Sequence, residues 1–303
     1  MLAQVHRSLA HRLVSFLVLA ALALALPGGA YAQQTPPEPR PLAELRQLAD
    51  DVYLFRYETY QALFIVTDDG VIATDPISLR NAAIAPLYKA AIATVTDQPV
   101  RYVVYGHDHN DHITGGDVFA DTAQFVSQRL AAPRVAARGD PRAPVPTILF
   151  DEHLTLELGG KTVELYYIGP AHSDNDLVLV YPAQRLAFVT DVIEPEGLPP
   201  MGQSNPDQYL AAMRWIENNL DFDVLVAGHG PLGSMDTVRQ LRGYIEDLMA
   251  AIRAAQARGV IGTSSEMVAE VRTALAPRYG AWDGFDRRLG GNVAAVIRIW
   301  SGS

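Results

Sequence analysis

The chain has 303 residues, 49% of them hydrophobic, a formal net charge of −10 and no cysteine. That length is enough for a large core, and the acidic balance disfavours nucleic acid and anionic membrane surfaces as partners. The absence of cysteine excludes thiol nucleophiles, thiolate metal ligands and disulfides.

Residues 1–32 differ in kind from the rest. Arg7 and Arg12 give a positive start, Ser15 to Leu26 (SFLVLAALALAL) is an apolar stretch, Pro27-Gly28-Gly29 breaks it, and Ala30-Tyr31-Ala32 is an A-x-A site. This is the pattern of a secretory signal peptide cut after Ala32, and the apolar run is short for a bilayer span. The expectation is export to the periplasm or beyond, with a soluble mature chain and no stable membrane insertion. Residues 33–41 (QQTPPEPRP) form a Pro-rich leader.

From Leu42 the patterning is globular. Val52–Tyr57 and Leu63–Thr67 are predicted strands, Asp68-Asp69-Gly70 a hairpin turn and Val71–Thr74 the returning strand. Helical spacing runs from Arg80 to about Ala93. Arg101–Tyr105 is a short buried strand. A helical segment is expected after Gly115-Gly116, then a strand over Ala123–Ser127, a short helix to about Ala137 and a loop over Arg138–Pro146. Leu154–Leu158 with Thr162–Ile168, and Leu177–Tyr181 with Leu186–Thr190, read as two hairpins. Asn205-Pro206-Asp207-Gln208 opens a helix, with Asn as cap and Pro at the first helical position. Val224–Ala227 is the last strand, and from Ser234 the pattern is helical with breaks near Gly262 and Gly280. Strands with interspersed helices in both halves predict two sheets packed face to face with helices outside.

Six of the eight histidines lie beyond residue 32. His107, His109 and His112 fall in one stretch, G-H-D-H-N-D-H; His172 follows one predicted strand and His229 another. In an extended segment residues two apart point the same way, so His107 and His109 can face one cation. Asp111 and His112 come after the chain turns and can face a second point. Imidazole and carboxylate are suitable zinc ligands. His153 starts a strand away from this pattern and reads as structural.

H-x-H-x-D-H after a strand resembles the metallo-β-lactamase superfamily. The resemblance spans most of the chain beyond the leader: Thr74-Asp75-Pro76, His172, Asp191 in A-F-V-T-D and His229 in G-H-G follow in the family's order. It implies a four-layer αβ/βα sandwich over 42–233, with 234–303 a helical C-terminal segment packed on that core. It implies two zinc ions, one on His107, His109 and His172, the other on Asp111, His112 and His229, bridged by Asp191. Asp111 would orient a metal-bridging hydroxide. Asp75 and Asp176 would accept hydrogen bonds from ligand N–H groups, with an ordinary turn or cap role as the alternative for each. Iron-binding members carry Glu where this chain has His109. Zinc β-lactamases lack the bridging Asp, so Asp191 resembles the glyoxalase II, lactonase, sulfatase and phosphodiesterase branches. Three positions depart from the common pattern: Gly106 stands where many relatives have Thr, Thr190 where Gly is frequent, and Asn175 where many have Gly. The function expected is hydrolysis of a small ester, lactone, thioester or amide; β-lactamase, phosphodiesterase or sulfatase activity, or a metal-binding role without turnover, are the alternatives. The substrate would be a small molecule. Tyr57 and Tyr60 are candidates to overhang the site. Tyr279, Trp282, Phe285 and Trp300 read as helix-packing aromatics, with a pocket wall or a dimer surface as the other possibility.

Overall fold

A computed structural model of the protein describes residues 42–202 and 204–302. The expected signal peptide, 1–32, and the Pro-rich leader, 33–41, lie outside the described residues.

The first sheet holds seven strands in chain order: β1 (Ala43–Ala49), β2 (Val52–Tyr57), β3 (Tyr60–Thr67), β4 (Gly70–Thr74), β5 (Val100–Val104), β6 (Gln124–Gln128) and β7 (Ile148–Phe150). β1 to β4 form an antiparallel meander, and β4 to β7 run parallel. The parallel crossovers carry helices α1 (Ile84–Ala93), α2 (Asn110–Ile113) and α3 (Ala131–Arg138). The second sheet is ordered β12 (Val224–Ala227), β11 (Leu186–Val189), β10 (Leu177–Tyr181), β9 (Lys161–Tyr167), β8 (His153–Leu158). Helix α4 (Pro206–Asn219) links β11 to its parallel neighbour β12, and α5 (Met235–Ala257), α6 (Ser265–Tyr279) and α7 (Phe285–Trp300) follow.

Period-two alternation assigns the faces. Val52, Leu54, Leu63 and Ile65 join Leu165, Leu177, Leu179 and Phe188 in the layer between the sheets. Their neighbours Phe55, Ala62 and Phe64 face the other way, under Ile84, Tyr88 and Ile92 of α1. Tyr88 is fully buried, and its hydroxyl donates to the Leu63 carbonyl at 2.7 Å, so this phenol leaves no polar atom unpaired. On the outer face of the second sheet, Val178, Val180, Ala187 and Val189 pack beneath α4 to α7. The order is therefore helix, sheet, sheet, helix, the layering that the resemblance implies. No helix among the described residues is long and apolar enough to cross a membrane.

Two strands were not legible. β1 is built from Ala, Glu, Leu, Arg and Gln, all good helix formers, yet it pairs antiparallel with β2 as a largely exposed edge. β7 is three residues long, too short to show a period. Helix α1 begins at Ile84 rather than Arg80, because Asn81 turns the chain first by accepting the Ala83 N–H. The helical turn expected after Gly115 is divided between α2 before it and a 3₁₀ turn over Gly116–Phe119. Asn205 caps α4 as expected, accepting the N–H groups of Asp207 and Gln208; the reciprocal capping box belongs instead to α5, between Ser234 and Thr237.

Candidate metal centre

Strand ends deliver the polar residues. β4 leads into Asp75, β5 into His107, β11 into Asp191 and β12 into His229, while the β9–β10 loop carries His172. The C-terminal ends of strands in open α/β sheets are where sites commonly form. A bond between the two sheets holds these ends together: Gln61, at the start of β3, donates its N–H to Gly228 O at 2.8 Å and its side chain to Ala227 O at 3.0 Å.

His109 is extended and the chain turns helical at Asn110, so the segment divides as its spacing predicts. His107, His109, His172 and Asp191 bring donor atoms within 4.8 Å of one another, and so do Asp111, His112, Asp191 and His229. Asp191 belongs to both sets. Its Oδ1 lies 3.1 Å from His112 Nε2 and 3.3 Å from His229 Nε2, and its Oδ2 lies 3.6 Å from His172 Nε2.

Several of these atoms are buried without a hydrogen-bond partner: both ring nitrogens of His107, His112 Nε2, His172 Nδ1 and Asp191 Oδ1. An unpaired buried polar group costs about 1–3 kcal/mol, so lone pairs converging on shared points are unfavourable unless a cation takes them. The residues present fit a metal. Gly228 keeps the space open, since a Cβ there would lie 2.7 Å from Asp191 Oδ1 and 2.8 Å from His112 Cε1.

The electrostatics agree. Burial holds His107 well below the ordinary imidazole range and His172 down at about 4, and it also lowers His229. Neutral imidazoles present lone pairs. Burial opposes the Asp191 carboxylate, but His112 and its neighbours outweigh that and keep it ionised. Burial likewise opposes a His112 cation, yet Asp191 and Asp75 raise its pKa well above the usual value. A proton at this ring, set between two carboxylates, answers the same electrostatic demand that a metal ion would.

Asp75 sits where a ring-orienting acceptor is expected. Its Oδ2 is 3.0 Å from His112 Nδ1, and its Oδ1 accepts the Gly106 N–H at 2.9 Å. Asp176 takes the other of its two expected roles, that of a turn residue. It is fully buried and accepts from the Ser173 N–H at 2.7 Å and the Ser173 hydroxyl at 2.8 Å, so it shapes the His172 loop and touches no ligand ring. Burial pushes its carboxyl up to about 7. His153 is far from this cluster in role: it pairs with Glu164 at 2.7 Å and stacks on Tyr166.

A cleft of about 270 Å³ opens onto His109, Asp111, His172, Asp191 and His229. Tyr60, one of the two tyrosines expected to overhang the site, lines it; Arg80, Glu194 and Arg288, its other polar walls, were not read from the sequence. Tyr60 meets His229 edge-on at 4.4 Å, and the Arg80 guanidinium stands over the Tyr60 ring at 5.9 Å. Arg288, from α7, pairs with Glu194. The cleft continues past these residues into a larger groove reaching Ala281, Asp283 and Arg287. Tyr57 does not line it and instead accepts from Asn81 at 3.1 Å. Tyr279, Phe285 and Trp282 pack in the helical core against Tyr244 and its neighbours. No motif marks Arg80 or Arg288; only packing brings them here.

Residues 60–229 match the metallo-beta-lactamase superfamily family model. The chain belongs to that superfamily. Over 178 residues it is 31% identical to 2,4-dinitroanisole O-demethylase subunit alpha of Nocardioides sp. (strain JS1661), covering 56% of this chain and 52% of that protein. It is 21% identical to the linear primary-alkylsulfatase of Pseudomonas sp. (strain ATCC 19151), over 69% of this chain and 49% of that one. It thus spans about half the length of these two relatives. Metallo-beta-lactamase type 2 of Elizabethkingia meningoseptica is 23% identical, over 69% of this chain and 85% of its own. Among solved structures, a metallo-beta-lactamase from Pontibacter korlensis shares the fold with a TM-score of 0.58 at 19% identity, over 67% of this chain and 99% of that one.

Within this superfamily two departures of the sequence explain each other. A Cβ on Gly106 would lie 2.3 Å from Cγ2 of Thr190. The Thr190 side chain fills the space that a Cβ at 106 would need. Gly106 is therefore needed for close approach rather than for a bend.

Proposed function

We propose that the protein is an exported dinuclear zinc hydrolase acting on a small ester, lactone, thioester or amide. The observation that carries this is Asp191: its two oxygens face different donor sets, among buried nitrogen and oxygen atoms that have no hydrogen-bond partner. His107, His109 and His172 would hold one ion and Asp111, His112 and His229 the other, with Asp191 shared. Zinc held there would lower the pKa of bound water toward neutrality and polarise the bond under attack. The chain's own part is positional. Asp75 fixes the His112 ring through Nδ1, leaving Nε2 directed at the cluster. Asp111, exposed to the cleft, orients the attacking water and accepts its proton. Tyr60 and Ile193 close the cleft beside His229 and Asp191. Export rests on the leader pattern of residues 1–32.

A second reading, cleavage of a sulfate or phosphate ester, is favoured by Arg80. Among the described residues this guanidinium makes no ion pair and faces the cleft, where it suits an anionic group. One of the relatives is an alkylsulfatase by name.

The test is zinc content per chain together with hydrolysis of a lactone, a thioester, nitrocefin, an alkyl sulfate and a phosphodiester. Two zinc ions and turnover of the lactone or thioester are expected, with Asp191→Ala losing one ion and at least a hundredfold in turnover. Preference for the sulfate or phosphodiester would select the second reading. Zinc-loaded protein inert to all five would point to a binding role. Two retained zinc ions and near-normal turnover in Asp191→Ala would remove the shared-ligand assignment.

A further inference from the structure

Asp108 stands between two of the clustered histidines and is itself 3% exposed, yet it is in neither donor set. Its carboxylate is turned away and fully engaged. Oδ1 accepts from Asn175 Nδ2 at 2.6 Å, and Oδ2 accepts from Arg138 Nη1 at 2.8 Å. The backbone is held as well: Asp108 N–H donates to Asn175 Oδ1 at 2.9 Å, and Arg138 Nη2 donates to the Asp108 carbonyl. Asn175 is fully buried, and its amide meets Asp108, 67 positions away, at both ends, with Nδ2 also donating to the neighbouring Asp174 Oδ1 at 3.0 Å.

The two segments joined in this way carry His107 and His109 on one side and His172 on the other. All three histidines of the first donor set therefore ride on loops fastened by one clamp. Asp111 and His112 follow on the same segment but lie in α2, where Asp75 holds the His112 ring and the Ile77 N–H donates to the His112 carbonyl at 2.8 Å; His229 and Asp191 come from other strand ends. α3 contributes Arg138 from its last turn, so the clamp is anchored to a regular element. A Gly at 175 would supply none of these side-chain bonds.

We propose that Asp108, Asn175 and Arg138 form a positioning clamp that presets the first donor set, so that zinc affinity at that set depends on it while the second set does not. The proposal rests on the metal-centre reading given above. Loss of an interaction that orients metal ligands weakens affinity about 10–100-fold, and these residues orient the loops that carry the ligands.

The experiment is a stepwise zinc titration of the purified protein against a chromogenic chelator, for the wild type and for Asn175→Ala, Arg138→Ala, Arg138→Lys and Arg239→Ala. In Asn175→Ala one binding step should weaken about 10–100-fold and the other stay within about threefold. Arg138→Ala should weaken the same step about tenfold, and Arg138→Lys, which retains a donor toward the carboxylate but not the second bond to the carbonyl, should recover part of it. Arg239 pairs with Asp236 on the surface of α5, and its removal should leave both steps unchanged. Thermal unfolding of the zinc-free proteins is measured alongside. Unchanged affinities in Asn175→Ala and Arg138→Ala would overturn the clamp, as would an equal fall of both steps matched by lost stability of the zinc-free chain. If Asn175→Ala does not fold, Arg138→Ala against Arg138→Lys decides, because Arg138 is partly exposed. A wild type that binds no zinc would overturn the metal-centre reading and the clamp with it; a two-step wild type with unaffected variants would overturn the clamp alone.

Discussion

At residue 106 the absence of a side chain is set by a residue 84 positions later. The missing Cβ would press on Thr190, and overpacking of this kind costs about 1–3 kcal/mol. Gly106→Thr should destabilise the protein by at least that much, and Thr190→Gly should cost about 1 kcal/mol from the freer backbone alone. Combined, the two substitutions should restore most of the stability, since the volume is only moved across one gap. Thermal unfolding of the three variants as a double-mutant cycle checks this, and simple additivity of the two losses would rule it out. The same scale separates the acids around the site. Asp75, Asp108, Asp111, Asp176 and Asp191 look alike in the sequence, but they differ in what they touch. Asp191 meets two donor sets, Asp75 meets a ring, Asp176 holds a loop hydroxyl and Asp108 is clamped. Spacing revealed the cluster; it did not separate Asp176 from Asp75, because a carboxylate's partner is fixed by the fold.

At the level of elements, the sheets are fastened at both ends. The site end is closed by Gln61 on β12. At the opposite end Asp51, in the β1–β2 turn, accepts from Lys161 at the start of β9, from Tyr181 at the end of β10 at 2.6 Å and from Gln184 at 3.3 Å. Burial works against the Asp51 carboxylate, but Lys161 and Tyr181 outweigh it and leave its pKa below the ordinary value. A depressed carboxylate contributes stability that is present above its unfolded pKa, about 3.9, and is lost as pH falls through the folded one. Asp51→Asn should therefore cost about 1–2 kcal/mol at pH 7, toward the low end because Lys161 is partly exposed. The gap from wild type should narrow below about pH 4. Urea unfolding at pH 7 and pH 3 measures it; a gap that stays constant would show that the charge on Asp51 is not what fastens the sheets. Strand and helix positions were largely legible here because alternation and helical spacing are local properties. β1 was not, because its residues favour helix and only pairing with β2 makes them a strand.

For the whole molecule, the cleft is a product of three distant segments. Arg80 comes from the loop before α1, Glu194 from the loop after β11, and Arg288 from α7, beyond the stretch that matches the family. Backbone bonds tie the second to the third: Leu198 N–H donates to Asp283 O at 2.9 Å and Asp283 N–H to Glu196 O at 2.8 Å. Arg288 is occupied by Glu194, so Arg80 is the cation positioned to meet a charged substrate. If the substrate is anionic, Arg80→Ala should raise KM about tenfold and leave kcat nearly unchanged. Equal KM values for charged and neutral substrates in both proteins would assign the cleft to neutral ligands. The amino-acid order by itself determined the layered fold, the strand ends and the His107–His112 stretch, because each is written in local periodicity or in residues close together in the chain; that His172, Asp191 and His229 join that stretch was implied by the family resemblance. Only the tertiary structure decided the cleft walls, the Asp108 clamp and the exchange between Gly106 and Thr190. Those depend on atoms brought into contact across many residues, where neither spacing nor composition carries a signal.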